Sequence, residues 1–221
     1  KGDGKAEGQD VTYILLVRHG QSTWNAEGRW QGQADMPLSS MGIAQSALAA
    51  VRLGNATVVA NSGPFPQIDA IYSSPMERAS TTAKILSEQS GIGPVVLDSR
   101  LRERSVGEWS GLRYEEVQKK WPGYLKRRML PPSYETDDMV LPRVFLALDN
   151  IRKNHPGENV ALVCHAGIIY AVEAYLKTQV GYKNPTRRYR ISNLGCRWIK
   201  WDGAAFKLGR RVSLLATDNI G

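Results

Sequence analysis

The sequence predicts a three-layer α/β sandwich, with a mostly parallel central sheet and helices on both faces. Three observations carry this. The runs Val11–Val17 (VTYILLV) and Asn159–Cys164 (NVALVC) are apolar on both faces, as strands buried in the middle of a parallel sheet are. Segments of helical periodicity alternate with the strand-like runs. The chain has 221 residues, 42% of them hydrophobic, which is enough for one sizeable core in a single domain over 11–221.

The elements follow in order. Residues 1–10 (KGDGKAEGQD) are polar and Gly-rich and are expected to form a flexible tail. After the strand at 11–17, Ser39 or Ser40 can cap a helix from about Met41 to Leu53, with Ile43, Ala47, Leu48 and Val51 on its apolar face. Residues 54–67 carry Asn-Ser-Gly-Pro and Phe-Pro and read as a loop. Ile68–Tyr72 is a short strand. Ser74-Pro75 opens a helix to about Gln89, with Pro in the first turn. Val95–Leu97 is another short strand, and 98–112 is irregular. A helix over 113–121 stops at Trp121-Pro122-Gly123, and Pro131-Pro132 breaks the chain again. A helix from about 137 to 154 contains Pro142, which should kink it or displace its start. The strand at 159–164 is followed by a helix over 167–177. Arg190–Leu215 alternates in short runs and reads as two antiparallel edge strands, of which the one at 190–201 could pair with a second copy in a homodimer.

The formal charge is +8, from 29 basic and 21 acidic residues, which favours anionic partners. The basic residues are spread thinly and match no zinc-finger or RRM signature, so no nucleic-acid partner is expected. No run reaches the ~18 apolar residues of a membrane span, so no membrane partner is expected either. Two cysteines, Cys164 and Cys196, are too few for a disulfide framework, and a reducing compartment fits. The expected location is cytoplasmic, or organellar if a transit peptide upstream of Lys1 has been removed.

Open parallel sheets place their sites at the carboxyl ends of the strands. That rule selects Arg18-His19-Gly20, Ser73-Ser74-Pro75 with Arg78, and His165-Ala166-Gly167. Two arginines and two imidazoles converging on one pocket, beside helix N-termini, make a receptor for a tetrahedral dianion. There is no GxxxxGK[ST] and no GxGxxG, so no nucleotide cradle is indicated. No HExxH set exists, and the neighbouring guanidinium groups would repel a cation, so no metal and no other cofactor is expected. A neutral histidine is a competent nucleophile, and repulsion from Arg18 favours the neutral form of His19. The leaving alkoxide needs an acid, for which Glu103 or Glu108 in LRERSVGEWSG can serve. Trp24, Trp30, Trp109 and Trp121 are expected to pack in the core or loops; Trp24 and Trp30 flank the pocket motif and are the only candidates for stacking on a substrate. The Arg187–Arg190 group either rims the pocket or faces solvent.

Four segments, LVRHGQSTWN (16–25, followed by GRWQGQADMPLS), IYSSPMERASTTA (71–83), LRERSVGEWSGL (101–112) and VALVCHAG (160–167), resemble in this order the histidine phosphatase superfamily, in its phosphoglycerate-mutase-like branch. The resemblance covers roughly 11–178. It implies a metal-independent phosphomonoesterase with a phosphorylated small-molecule substrate. By the same resemblance His19 becomes phosphohistidine, and Arg18, Arg78 and His165 bind the phosphoryl oxygens. Asn25 lines the pocket, Gln31 and Gly32 touch substrate, and Glu103, not Glu108, is the proton donor. Ala166 after His165 disfavours the branch that takes its acid from a His-Asp pair. Ser105, Val106 and Tyr114 replace the His-Tyr and Lys of the mutases, which favours a phosphatase over a phosphoglycerate mutase. Arg127-Arg128 resembles a mutase arginine pair, and Arg128 is on that ground a candidate substrate contact. Tyr134-Glu135-Thr136 stands where many of the hydrolases have Gly-Glu-Ser. A third reading is an inactive phospho-ligand-binding module, disfavoured because none of the matched catalytic residue types is missing.

Overall fold

The computed structural model describes residues 11–54, 66–184 and 189–215. The expected tail over 1–10, most of the 54–67 loop and Arg187–Arg188 lie outside the described residues.

In chain order the elements are β1 (Thr12–Arg18), α1 (Thr23–Ala26), α2 (Ser40–Gly54), β2 (Ala70–Ser73), α3 (Glu77–Ser90), β3 (Val96–Leu97), α4 (Tyr114–Lys120), α5 (Tyr124–Arg127), α6 (Asp137–Asn154), β4 (Asn159–Cys164), α7 (Ala166–Gln179), β5 (Gly195–Trp201) and β6 (Phe206–Ser213). The irregular stretch after β3 contains two 3₁₀ turns, Ser99–Leu101 and Gly107–Trp109. The strands form one sheet in the order β3-β2-β4-β1-β5-β6. The first four run parallel, with Leu16 opposite Leu162 and Tyr72 opposite Leu162 on its other side. β5 and β6 are antiparallel to their neighbours.

The two-sided hydrophobicity of β1 and β4 feeds a separate core on each face. Ile14, Leu16, Val160 and Leu162 pack under α6 and α7 with Val144, Leu148, Ile168 and Val172. Leu15, Val17, Ala161 and Val163 pack under α2 and α3 with Ala49, Leu53, Ala83 and Leu86. Val106, Trp109 and Val117 form a small third cluster with Trp30, Trp121 and Tyr134 beyond the carboxyl edge of the sheet. No helix of the described residues is long and apolar enough to cross a membrane.

Four expectations need correction. The side chains expected to form the apolar face of α2 point largely outward: Ile43, Leu48 and Val51 are half exposed, and its buried face is Gly42, Ser46, Ala49, Ala50 and Leu53. The reason is distance. A Cβ at Gly42 would collide with the Gln21 carbonyl, so the helix approaches the β1 loop too closely for large side chains. α3 starts at Glu77, not at Pro75, because Ser74 and Pro75 make the turn out of β2 and the first N–H of the helix is held by Asp35 Oδ1 at 2.6 Å. α6 runs from Asp137 with Pro142 inside it, so Pro142 does not displace its start. Finally, β5 is not an edge. It bonds β1 on one side and β6 on the other, so the strand expected to pair with a second copy has no free edge.

Candidate active site

The carboxyl ends of β1, β2 and β4 deliver the groups named by the strand-end rule. His19 follows β1 and is 3% exposed. Its Nδ1 lies 2.6 Å from the Gly20 carbonyl oxygen, which can only accept, so Nδ1 carries the proton and Nε2 keeps its lone pair. Asn193 Nδ2 donates to the His19 carbonyl (2.9 Å), and the His19 N–H donates to Cys164 O (3.1 Å), locking the backbone on both sides. The His19 pKa is held well below its ordinary value. Burial is the main cause, with Arg78 and then Arg18 adding repulsion. The repulsion argued from Arg18 alone is therefore real but third in size.

His165, at the end of β4, is fully buried, with its ring centroid 5.3 Å from that of His19. Its Nε2 pairs with Ser74 Oγ at 2.8 Å. Burial, and then Arg78 and His19, push its pKa well down. Arg78 sits in the first turn of α3 and is 1% exposed; it donates to the carbonyls of Gly32 and Ala34 at 2.7 Å each, clasping the loop after α1. Arg18 donates to Ile191 O at 2.6 Å. Arg18 Nε, Arg78 Nε and His165 Nδ1 are buried and have no hydrogen-bond partner among the described residues. The two guanidinium N–H donors among them fit an anionic ligand with several acceptor oxygens.

A cleft of about 710 Å³ opens over Arg18, His19 and Arg78, while the fully buried His165 lies behind the His19 ring and is not part of its lining. The lining includes Arg18, His19, Asn25, Gln31, Gly32, Arg78, Glu103 and Gly167. Asn25 and Ser22 form a capping box at α1, and Ser22 Oγ donates to Gln31 Oε1 (2.6 Å), so the first motif holds its own far end against the cleft. Glu103 reaches the N-terminus of α7. One carboxylate oxygen accepts from Gly167 N (3.0 Å) and the other from Arg104 N (2.8 Å). Gly167 is required there, because a Cβ would stand 3.0 Å from Glu103 Cδ. Glu108 points elsewhere; its exposed carboxylate accepts from Ser133. Among the described residues no group of three His, Cys, Asp or Glu side chains gathers to hold a metal ion.

One further expectation changes. Arg128 caps α5 with an exposed side chain and does not line the cleft. The αL turn there (φ 56°) ends the short helix after one turn, so the pair at 127–128 stops short of the site. Trp30 lines the cleft, whereas Trp24 packs over Gly111 outside it. Arg190 is at the cleft, which settles the alternative left open for that residue.

The sequence reading missed the frame that holds Glu103. Arg143 of α6 donates to the carbonyls of Arg100 and Arg102 at 2.7 Å each and pairs with Glu135 at 2.9 Å. Arg104 pairs with Asp137 at 2.7 Å and donates to Gly167 O at 2.8 Å. The partners are mostly backbone carbonyls some forty residues away, for which no residue pattern exists.

The profile of the histidine phosphatase superfamily (branch 1) matches residues 14–213. The chain belongs to that superfamily. This histidine phosphatase is 34% identical over 207 residues to a metal-independent phosphoserine phosphatase of Arabidopsis thaliana, covering 90% of this chain and 82% of the relative. A solved mycobacterial glucosyl-3-phosphoglycerate phosphatase in complex with VO3 superposes with TM-score 0.75 at 29% identity, over 89% of this chain and 96% of the other. A phosphoserine phosphatase of Entamoeba histolytica, solved with 3-phosphoglyceric acid, gives TM-score 0.69 at 26% identity, over 91% and 97%. This histidine phosphatase is a phosphoric monoester hydrolase with the phosphoglycerate-mutase-like fold, and the metal independence of the Arabidopsis relative agrees with a site built from imidazole, guanidinium and carboxylate.

Proposed function

We propose that His19 is the nucleophile and Glu103 the acid and base of a two-step phosphomonoesterase acting on small molecules. In the first step His19 Nε2 attacks phosphorus, the bond from phosphorus to the alcohol oxygen breaks, and the Glu103 proton goes to that oxygen. In the second, a water oxygen attacks the phosphohistidine, Glu103 takes the water proton, and the N–P bond breaks to release inorganic phosphate and neutral imidazole. Arg18, Arg78 and His165 bind the phosphoryl oxygens through both steps. The single observation that carries this reading is the His19 Nδ1–Gly20 carbonyl bond at 2.6 Å, which commits the other ring nitrogen to its basic form in a buried, cationic pocket. The exclusion of Arg128 from the cleft lining supports hydrolysis over a mutase.

The test is a phosphate-release screen over a metabolite panel with EDTA present, with rapid-quench trapping of an acid-labile phosphoprotein. His19→Ala should abolish turnover and trapping while keeping the fold. A His19→Ala rate within tenfold of wild type overturns the assignment. Isomerisation of 3-phosphoglycerate outpacing phosphate release would make the enzyme a mutase.

A further inference from the structure

Two buried histidines meet at the site, and each has one ring nitrogen pinned by a neighbour and one left over. For His19 the pinned nitrogen is Nδ1, on the Gly20 carbonyl at 2.6 Å. For His165 it is Nε2, on Ser74 Oγ at 2.8 Å, and Nδ1 is the nitrogen without a partner. Ser74 has no part in the two steps proposed for His19 and Glu103. It is fully buried, as His165 is.

Ser74 is tied to the end of the sheet. Its N–H donates to Val163 O at 2.9 Å, and its carbonyl accepts from Ser73 Oγ at 2.8 Å. Its Oγ accepts the Met76 N–H at 3.3 Å. A hydroxyl has one proton to give, and among the described residues His165 Nε2 is the only acceptor within reach of it.

The protons can be placed in two ways. Burial, and then Arg78 and His19, keep His165 neutral, so its ring carries a single proton. With that proton on Nε2, aimed at Ser74, the Ser74 proton would have no acceptor and Nδ1 would hold a bare lone pair. Two polar groups would then be unmet in a buried site. With Ser74 donating to Nε2, the ring proton is on Nδ1, and the only unmet group is an N–H that an anion satisfies. Unmet buried polar groups are costly, so the second arrangement is the stable one.

We infer that Ser74 is a positioning residue: its hydroxyl donates to His165 Nε2 and so keeps the ring proton on Nδ1, the donor that His165 offers to the phosphoryl group. His19 and His165 then share one tautomer and leave opposite ends of it free. His19 keeps a lone pair, as a nucleophile must, and His165 keeps an N–H, as a ligand of an oxyanion must. The donor role rests on the phosphatase reading above; the tautomer does not.

The test reads the tautomers directly, by long-range proton–nitrogen NMR correlation of the imidazole rings in isotope-labelled enzyme. The chain has three histidines, and His19→Gln and His155→Gln assign two of them by loss of signal. Wild-type His165 should show Nδ1 protonated and Nε2 bare near neutral pH. A proton on Nε2 overturns the inference without requiring any Ser74 variant to fold. Ser74→Ala should populate both tautomers and lower kcat for phosphate release about tenfold. Ser74→Thr, which keeps the hydroxyl, should restore both the tautomer and the rate. An Ala variant that keeps the wild-type tautomer, or a kcat within about twofold of wild type, overturns the role of Ser74. Inorganic phosphate should move the His165 Nδ1 signal and leave Nε2 bare; movement of His19 alone overturns the donor role of Nδ1. A wild type that hydrolyses no phosphate ester sinks the phosphatase reading instead, and the tautomer of the unliganded enzyme still decides for or against Ser74.

Discussion

Replacing Gly167 with alanine tests the placement of Glu103 without touching its chemistry. The new Cβ would overlap Glu103 Oε1 and stand 3.0 Å from Glu103 Cδ and 2.9 Å from Arg104 Nε. Comfortable carbon–carbon contact is about 3.5–4.0 Å, so the carboxylate must retreat by roughly 0.5–1 Å. It would also give up its bond to the Gly167 N–H, now 3.0 Å. A misplacement of about 1 Å at a reacting group costs on the order of a hundredfold, and half that shift about tenfold, or about 1.4–2.7 kcal/mol of barrier. Alanine is the better helix former by up to about 1 kcal/mol, so the fold should hold. The assays are steady-state phosphate release and rapid-quench phosphoenzyme formation from two substrates. An alkyl phosphate, whose basic alkoxide must be protonated, should lose ten- to a hundredfold in kcat. p-Nitrophenyl phosphate, whose leaving group needs little protonation, should lose much less in its first step. A kcat for the alkyl phosphate within about threefold of wild type, or equal losses in phosphoenzyme formation from both substrates, would refute the role given to Glu103.

Other predictions follow from the buried charges. His19 and His165 both have pKa values well below the ordinary 6.5, so between pH 6.5 and 5 the unfolded chain takes up protons that the folded chain refuses. Stability should therefore be full above pH 6.5 and fall as the pH drops, by up to about 1.4 kcal/mol per pH unit for each histidine, read from urea midpoints; a flat profile over that window contradicts it. Glu173→Gln leaves Arg197 and Arg211 facing a neutral group in a buried site, and should cost about 3–5 kcal/mol in urea unfolding, against a null of under 1 kcal/mol. Burial pushes the Cys164 and Cys196 thiols far up, so neither should react with iodoacetamide at pH 8 until the protein is unfolded, by mass spectrometry of the labelled chain.

What could be read from the sequence was whatever has a local signature. β1 and β4 are visible because a strand buried on both faces must be apolar at every position, and α6 and α7 because their periodic runs exceed a few turns. The strand-end positions of His19, Arg78 and His165 follow from topology, and the motif resemblance supplied Glu103 and Asn25. Tertiary structure alone decided the rest. Which face of α2 is buried depended on how closely Gly42 approaches Gln21, not on where its large side chains lie. Whether β5 is an edge depended on β6 pairing outside it. Arg128 and Arg190 are equally basic in the sequence, yet an αL turn leaves the first outside the cleft while Arg18 and Arg211, bonded to the carbonyls of Ile191 and Tyr189, hold the backbone of the second at its rim. Periodicity records only which side of an element prefers water. The bonds that aim Glu103 run from arginines to distant backbone carbonyls, groups that every residue carries and no pattern can mark.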